Sequence, residues 1–197
     1  MLISERYNFV YLANPKTGST SIEAAFEKYA DFKAIAGPKT KHMSYRLFSR
    51  KFRYFTSLDV VVCVRDPIDT LYSWYRYRQR SGIKKRENRI QGISFEEFLA
   101  HWGKKKPPPF ANVSTGATFV LDTDGNLPDI TYFRYEGRPT LHSYLAEKVG
   151  GDVPELHRNQ SPEHEAVKLP GRDDLKIPKL DRSYEVYDRI PFKNPAA

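Results

Sequence analysis

Apolar residues come in two short unbroken runs, 9–13 (Phe9, Val10, Tyr11, Leu12, Ala13) and 59–64 (carrying Val60, Val61, Val62, Cys63 and Val64). Each is closed by a proline turn, at Pro15 and at Pro67. Continuous rather than alternating runs suit strands covered on both faces, as in a parallel sheet. After the first turn Ile22, Ala25, Phe26 and Tyr29 recur at helical spacing, and after the second Leu71, Trp74, Tyr75 and Arg78 mark a helix over 69–80. Strand, loop and helix therefore occur twice in succession.

Between these units residues 43–52 read as a helix. Ser94, followed three residues later by Glu97, is a capping-box pattern that opens a helix to about His101. Pro107, Pro108 and Pro109 force a loop after it. Residues 130–135 predict a third strand, and 139–149 a helix with proline near its first turn and Gly150 and Gly151 beyond its end. From Val153 onward the chain is rich in Pro, Asp and Lys, and only short ordered pieces are expected. No internal repeat is present. The expectation is an α/β fold, one domain over 1–197, with a mainly parallel central sheet flanked by helices.

The chain has 197 residues, 40% hydrophobic and 14% aromatic, enough for one compact core. Its formal net charge of +8 points to anionic partners: nucleic acid, acidic glycans and phosphorylated cofactors all stay open. The single cysteine, Cys63, lies inside the second apolar run and reads as a buried thiol without an internal disulfide partner. No signal-peptide pattern opens the chain and no apolar run reaches membrane length, so a soluble protein of a microbial cytoplasm is expected. A catalytic fragment trimmed from a membrane-anchored enzyme would read the same way.

Candidate chemistry begins in the first loop, Pro15, Lys16, Thr17, Gly18, Ser19, Thr20 and Ser21. Between a buried strand and a helix, main-chain N–H groups and the helix N-terminus converge on one point that attracts an anion. Gly18 allows close approach, the hydroxyls add neutral donors, and Lys16 adds a mobile charge. The order of residues is not that of the common nucleoside-triphosphate loop, where the lysine follows the glycine. Taken alone, an ordinary strand-to-helix turn with a Ser or Thr cap explains the segment equally well.

A second segment decides between them: Arg65, Asp66, Pro67, Ile68, Asp69, Thr70, Leu71, Tyr72, Ser73, Trp74 and Tyr75, directly after the second apolar run. Together the two segments resemble the paired motifs of the sulfotransferase superfamily that binds 3'-phosphoadenosine 5'-phosphosulfate (PAPS), above all the carbohydrate sulfotransferases and their small bacterial relatives. The resemblance is good over residues 9–80 and weaker over 130–136 and at Arg158, Asn159, Gln160 and Ser161. It implies a P-loop-like PAPS-binding fold in which Lys16, Thr17, Gly18, Ser19, Thr20 and Ser21 hold the 5'-phosphosulfate and Arg65 and Ser73 hold the 3'-phosphate. It also implies PAPS as sulfuryl donor, 3'-phosphoadenosine 5'-phosphate as product, and no metal. Many relatives carry an arginine where this chain has Thr70. The geometry is reasonable in its own right, since open α/β sheets place ligands beyond the carboxyl ends of strands and arginine grips phosphate with paired hydrogen bonds. The plainer alternative for Arg65 and Asp66 is a local ion pair capping a helix.

Sulfuryl transfer needs in-line positioning, neutralised charge on the leaving phosphate, and a base for the acceptor proton. Lys16 suits the leaving oxygen. For the base, His42 stands between the two motifs just before a helix and titrates near neutrality; several carbohydrate sulfotransferases have a histidine there in this role. Glu23 on the first helix is its rival, one position away from the glutamate that some glycan sulfotransferases use. His101, His142, His157 and His164 have no motif around them and read as solvated or structural.

Arg76, Arg78, Arg80, Lys84, Lys85, Arg86 and Arg89 against Glu87 place +6 within residues 76–89. Beside a PAPS site, Arg76, Arg80, Lys84, Lys85 and Arg86 suit an anionic acceptor such as an acidic or sulfated saccharide, and Lys104, Lys105 and Lys106 extend the surface. Two other classes stay open. A nucleotide-dependent, kinase-like phosphotransferase would use the first loop for ATP phosphates, but lacks the glycine spacing. A nucleic-acid-binding module would use the basic run with Tyr72, Trp74, Tyr75 and Tyr77 as a stacking surface.

Overall fold

The two apolar runs form neighbouring strands of a five-stranded sheet. In chain order the strands are β1 (Leu2–Ser4), β2 (Phe9–Leu12), β3 (Phe32–Lys33), β4 (Asp59–Val64) and β5 (Thr131–Arg134), arranged β3-β1-β2-β4-β5. The computed structural model describes residues 1–34, 38–156 and 169–193; His157, His164 and the segment Arg158, Asn159, Gln160 and Ser161 lie outside the described residues.

β2, β4 and β5 run parallel, with Val10 opposite Val60, Leu12 opposite Val62 and Val64 opposite Arg134. β1 is antiparallel to β2 and to β3. The sheet is therefore mixed, which corrects the expectation of a mainly parallel one. The reason is local. Only four residues separate β1 from β2, with Asn8 at φ 51°, so the chain reverses in a tight hairpin; a parallel pairing needs a long crossover. β1 and β3 escape sequence reading because strands of three and two residues carry no period.

One sheet face contributes Leu2, Phe9, Tyr11, Val61, Cys63 and Phe133 to a core closed by two helices, α1 (Ser19–Phe26) and α6 (Arg138–Val149). α1 supplies Ile22, Ala25 and Phe26; α6 supplies Leu141, Leu145 and Val149. The residues that point the other way, Val10, Leu12, Val60, Val62 and Val64, are buried as well, as two-sided cover of the continuous runs requires. α6 ends at Gly150 with φ 69°, the left-handed cap that glycine adopts without steric cost.

Chain contacts divide the molecule into two compact units: Met1–Arg65 with Phe119–Glu163 and Ile190–Ala197, and Asp66–Thr118 with His164–Arg189. The first holds the sheet with α1, α6, α2 (Pro38–Lys41) and α3 (Tyr45–Lys51). The second is built on α4 (Pro67–Arg78), α5 (Phe95–Trp102) and α7 (Pro178–Tyr187). The capping box at Ser94 forms as expected, Glu97 N–H donating to Ser94 Oγ at 3.2 Å and Ser94 N–H to Glu97 Oε2 at 2.7 Å. Trp102 is fully buried, donates Nε1–H to the Val113 carbonyl at 3.0 Å, and lies under Lys179 Nζ at 4.4 Å. α7 exceeds the short pieces expected after Val153: Pro178 opens it, and Leu180, Tyr184 and Tyr187 line its buried side. Among the described residues no helix is long and apolar enough to cross a membrane.

Candidate active site

The carboxyl ends of β2, β4 and β5 open on the same sheet edge, and the first loop is pinned there. Asn14, fully buried, donates Nδ2–H to the Cys63 carbonyl at 3.0 Å and its own N–H to Leu12 O at 2.9 Å. Thr17, also buried, donates its hydroxyl to Asn14 O at 2.8 Å. Thr17 thus shapes the loop with its side chain. Lys16 and Gly18 both take left-handed backbone, φ 68° and 67°. For glycine that is free; for lysine it costs about 1–2 kcal/mol, a strain held by the ties on either side. α1 starts at Ser19, where helix geometry leaves first-turn N–H groups without intrahelical acceptors. Ser19 and Ser21 are buried.

His42 docks on the end of the same strand. Its Nδ1 meets the Ala13 carbonyl at 2.6 Å, which fixes Nδ1 as the donor and leaves the Nε2 lone pair as the acceptor. Burial pushes its pKa below the ordinary histidine value, with the nearby Lys41 ammonium adding to the effect and the Ala13 hydrogen bond opposing it. The ring is therefore neutral near pH 7, the state a general base requires.

Lys41, to which the sequence attached no role, bridges the region: its Nζ donates to Thr20 Oγ1 at 3.0 Å and pairs with Glu23 Oε2 at 2.9 Å. Glu23 is buried, with only 4% of its side chain exposed, and also receives the amino group of Met1. Its carboxylate is held between cations. The only sequence signal for Lys41 is its place beside the candidate histidine.

Arg65 follows β4, and its guanidinium lies 4.4 Å over the Tyr135 ring, just past β5; Tyr135 N–H donates to Val64 O at 2.9 Å. Arg65 Nε is buried and has no hydrogen-bond partner among the described residues. An arginine held over a ring with an unsatisfied N–H keeps a donor for an anion. Asp66 is engaged as the cap of α4: it accepts from Ile68 N–H at 2.8 Å and Asp69 N–H at 3.1 Å, and from the Tyr184 hydroxyl at 2.8 Å. Tyr184 is held above the usual tyrosine range by burial first and by Asp66 second, so the phenol stays a donor.

In the second unit Ser73 stands half-exposed on α4, and Thr70 is buried on the same helix. Arg76, Arg78 and Arg80 lie over Tyr72, Trp74 and Tyr77 at 5.9, 5.4 and 5.6 Å. Tyr72, Trp74 and Tyr77 thus each engage one of the chain's own guanidinium groups, while Tyr75 packs against Phe95 and Phe98. Lys84, Lys85 and Arg86 are exposed, and Arg86, Arg89 and Gln91 line an open cleft of about 600 Å³. Arg89 is oriented by its Nε–H bond to the Ile83 carbonyl at 2.8 Å. His142 is buried against Phe26, with ring centroids 5.1 Å apart, and His101 lies against Phe110 with Nδ1 at 3.1 Å from Lys104 Nζ; both have structural surroundings.

Comparison with known proteins finds no curated protein and no solved structure that matches the chain. The family model described as the sulfotransferase family matches residues 1–127, which contain the loop of residues 15–21, His42, Arg65 and Ser73. The chain belongs to the sulfotransferase family and is a sulfuryl-transfer enzyme of that PAPS-dependent family.

Proposed function

We propose that this sulfotransferase takes the sulfuryl group of PAPS to an acceptor hydroxyl on a carbohydrate, and that the acceptor is an anionic saccharide. The observation that carries the reading is one edge of the sheet where β2 presents both a loop turned for an anion, with Lys16 and Gly18 left-handed, and a neutral His42 anchored through Nδ1. Main-chain N–H groups of residues 16–20 hold the 5'-phosphosulfate and Lys16 stabilises the leaving oxygen. Arg65 and Ser73 take the 3'-phosphate, as the motif resemblance assigns. His42 Nε2 accepts the proton of the acceptor hydroxyl as its oxygen bonds to sulfur. Glu23 supports the site through Lys41 rather than acting as base, because its carboxylate is buried between cations. Arg76, Arg80, Lys84, Lys85 and Arg86 attract the acceptor's negative charge.

Calorimetric titration tests the nucleotide assignment. Arg65→Ala and Ser73→Ala weaken binding of 3'-phosphoadenosine 5'-phosphate by at least about tenfold, the value of one charge-assisted hydrogen bond. Adenosine 5'-phosphosulfate, without the 3'-phosphate, loses less than about threefold by the same reasoning. Equal losses on both ligands overturn the assignment, and magnesium ATP binding more tightly than either favours the phosphotransferase alternative.

A further inference from the structure

Between Asp31 and Asp59 the chain contains no acidic residue, while Lys33, Lys39, Lys41, Arg46, Arg50, Lys51 and Arg53 all fall there. Lys41 is engaged with Thr20 and Glu23. Lys33, Arg46, Arg50, Lys51 and Arg53 are exposed. The large hydrophobic residues exposed among the described residues, Phe32 at 43%, Leu47 at 43% and Tyr54 at 77%, are in this same segment. Scattered singly, such residues would be ordinary; gathered in one basic segment they point to an interaction site.

Ring contacts link Phe32 to Tyr54. Phe32 at the sheet edge meets Phe52 at 5.5 Å, Phe52 meets Phe55 at 6.4 Å, and Phe55 meets Tyr54 at 5.3 Å. Leu47 shares a helix face with Arg50 and Lys51, three and four residues on along α3. The acids at the margins are engaged by main-chain donors. Asp31 accepts from Glu5 N–H at 2.8 Å, in the turn between β1 and β2. Asp122, whose carbonyl accepts from Arg46 Nε–H at 3.1 Å, directs its carboxylate to Asp124 and Asn126 N–H within its own loop.

We infer that this face of the sheet-bearing unit is a docking surface for an anionic lipid membrane. Phe32, Leu47 and Tyr54 enter the headgroup region while Lys33, Arg46, Arg50, Lys51 and Arg53 pair with lipid phosphates around them. Charge complementarity selects an anionic partner, and the apolar residues select a lipid one. A polyanion such as nucleic acid rewards cations and ring faces, but gives an exposed aliphatic Leu47 nothing to bury in; an interface with acyl chains does. Long basic side chains reach the headgroups from beside buried apolar neighbours, and tyrosine favours that depth. None of these residues is among those assigned to sulfuryl transfer.

The test is co-sedimentation of the whole chain with phosphatidylcholine vesicles, with and without about a third phosphatidylglycerol, at physiological salt. Each basic residue near an anionic surface contributes about fivefold in partitioning. Binding is expected to the anionic vesicles and not to the neutral ones. Arg50→Glu with Arg53→Glu lowers it by more than about 25-fold. Leu47→Ser with Tyr54→Ser lowers it by about tenfold or more, since apolar burial adds to the electrostatic term. Both double variants change exposed side chains, and unchanged melting and unchanged PAPS turnover in solution confirm that the fold is intact. The inference is overturned by failure to bind anionic vesicles. It is overturned equally by an unaltered response to the Leu47 and Tyr54 changes, or by tighter binding to a single-stranded oligonucleotide than to vesicles.

Discussion

Glu23→Gln separates a structural carboxylate from a catalytic one. The Glu23 side chain is 4% exposed, its Oε2 lies 2.9 Å from Lys41 Nζ, and its Oε1 meets the Met1 amino group. The amide keeps the shape and removes the charge, which strands two cations in a partly dry site. Removing one partner of a buried ion pair costs about 3–5 kcal/mol. Lys41 is 19% exposed and keeps its bond to Thr20 at 3.0 Å, so water and the hydroxyl recover part of the loss. The expected cost is therefore about 3 kcal/mol, at the low end of that range. In a domain of this size each kcal/mol lowers the melting temperature by about 2–4 °C, giving a fall of about 6–12 °C. Thermal unfolding followed by circular dichroism reads the shift, and release of 3'-phosphoadenosine 5'-phosphate at 15 °C, well below either transition, reads turnover. Turnover of the folded variant stays within about fivefold of the parent, because a base would lose about 10²–10⁴. A variant that melts within about 2 °C of the parent yet is inactive refutes the argument and returns Glu23 to the chemistry.

His42→Ala lowers kcat by about 10²–10⁴ with nucleotide affinity nearly unchanged. Its NMR titration, assigned by loss of the signal in that variant, has a midpoint below 6.5, and the acid limb of kcat follows the same midpoint. Because the folded pKa is depressed, the neutral ring's contribution to stability is fully present above 6.5 and is lost as pH falls through the folded midpoint; a midpoint above 6.5 contradicts the burial argument. Tyr184→Phe removes the donor to Asp66 at 2.8 Å and destabilises the second unit by about 1.5 kcal/mol, measurable by urea unfolding; no change there would mean that the N–H groups of Ile68 and Asp69 satisfy Asp66 alone.

What the sequence determined by itself was local. Continuous apolar runs at 9–13 and 59–64 demanded strands buried on both faces, and β2 and β4 are such strands. Pro67 and Asp66 opened α4, Ser94 and Glu97 formed their capping box, and Gly150 closed α6. Each of these signals acts within a few residues, so no distant partner can alter it. The two motif segments were legible for the same reason, being contiguous in the chain, and the family match covers both.

Tertiary structure decided whatever depends on residues far apart in sequence. The antiparallel β1 and β3 have too few residues to show a period and exist because β2 offers an edge to β1 and β1 in turn offers one to β3. α7 lies in a stretch whose composition suggested little order, and it is held by Tyr184 reaching Asp66 and by Lys179 over Trp102. At the candidate site the spacing offered His42 and Glu23 as rival bases. The fold makes their surroundings opposite: a main-chain carbonyl leaves His42 one free lone pair, whereas Lys41 and the Met1 amino group enclose Glu23. Thr17, one of several equivalent hydroxyls in the sequence, became a loop tie because Asn14 O lies within its reach. Burial and charge pairing are sums over the packed neighbourhood, and residues distant in the chain enter that neighbourhood only once the fold is made.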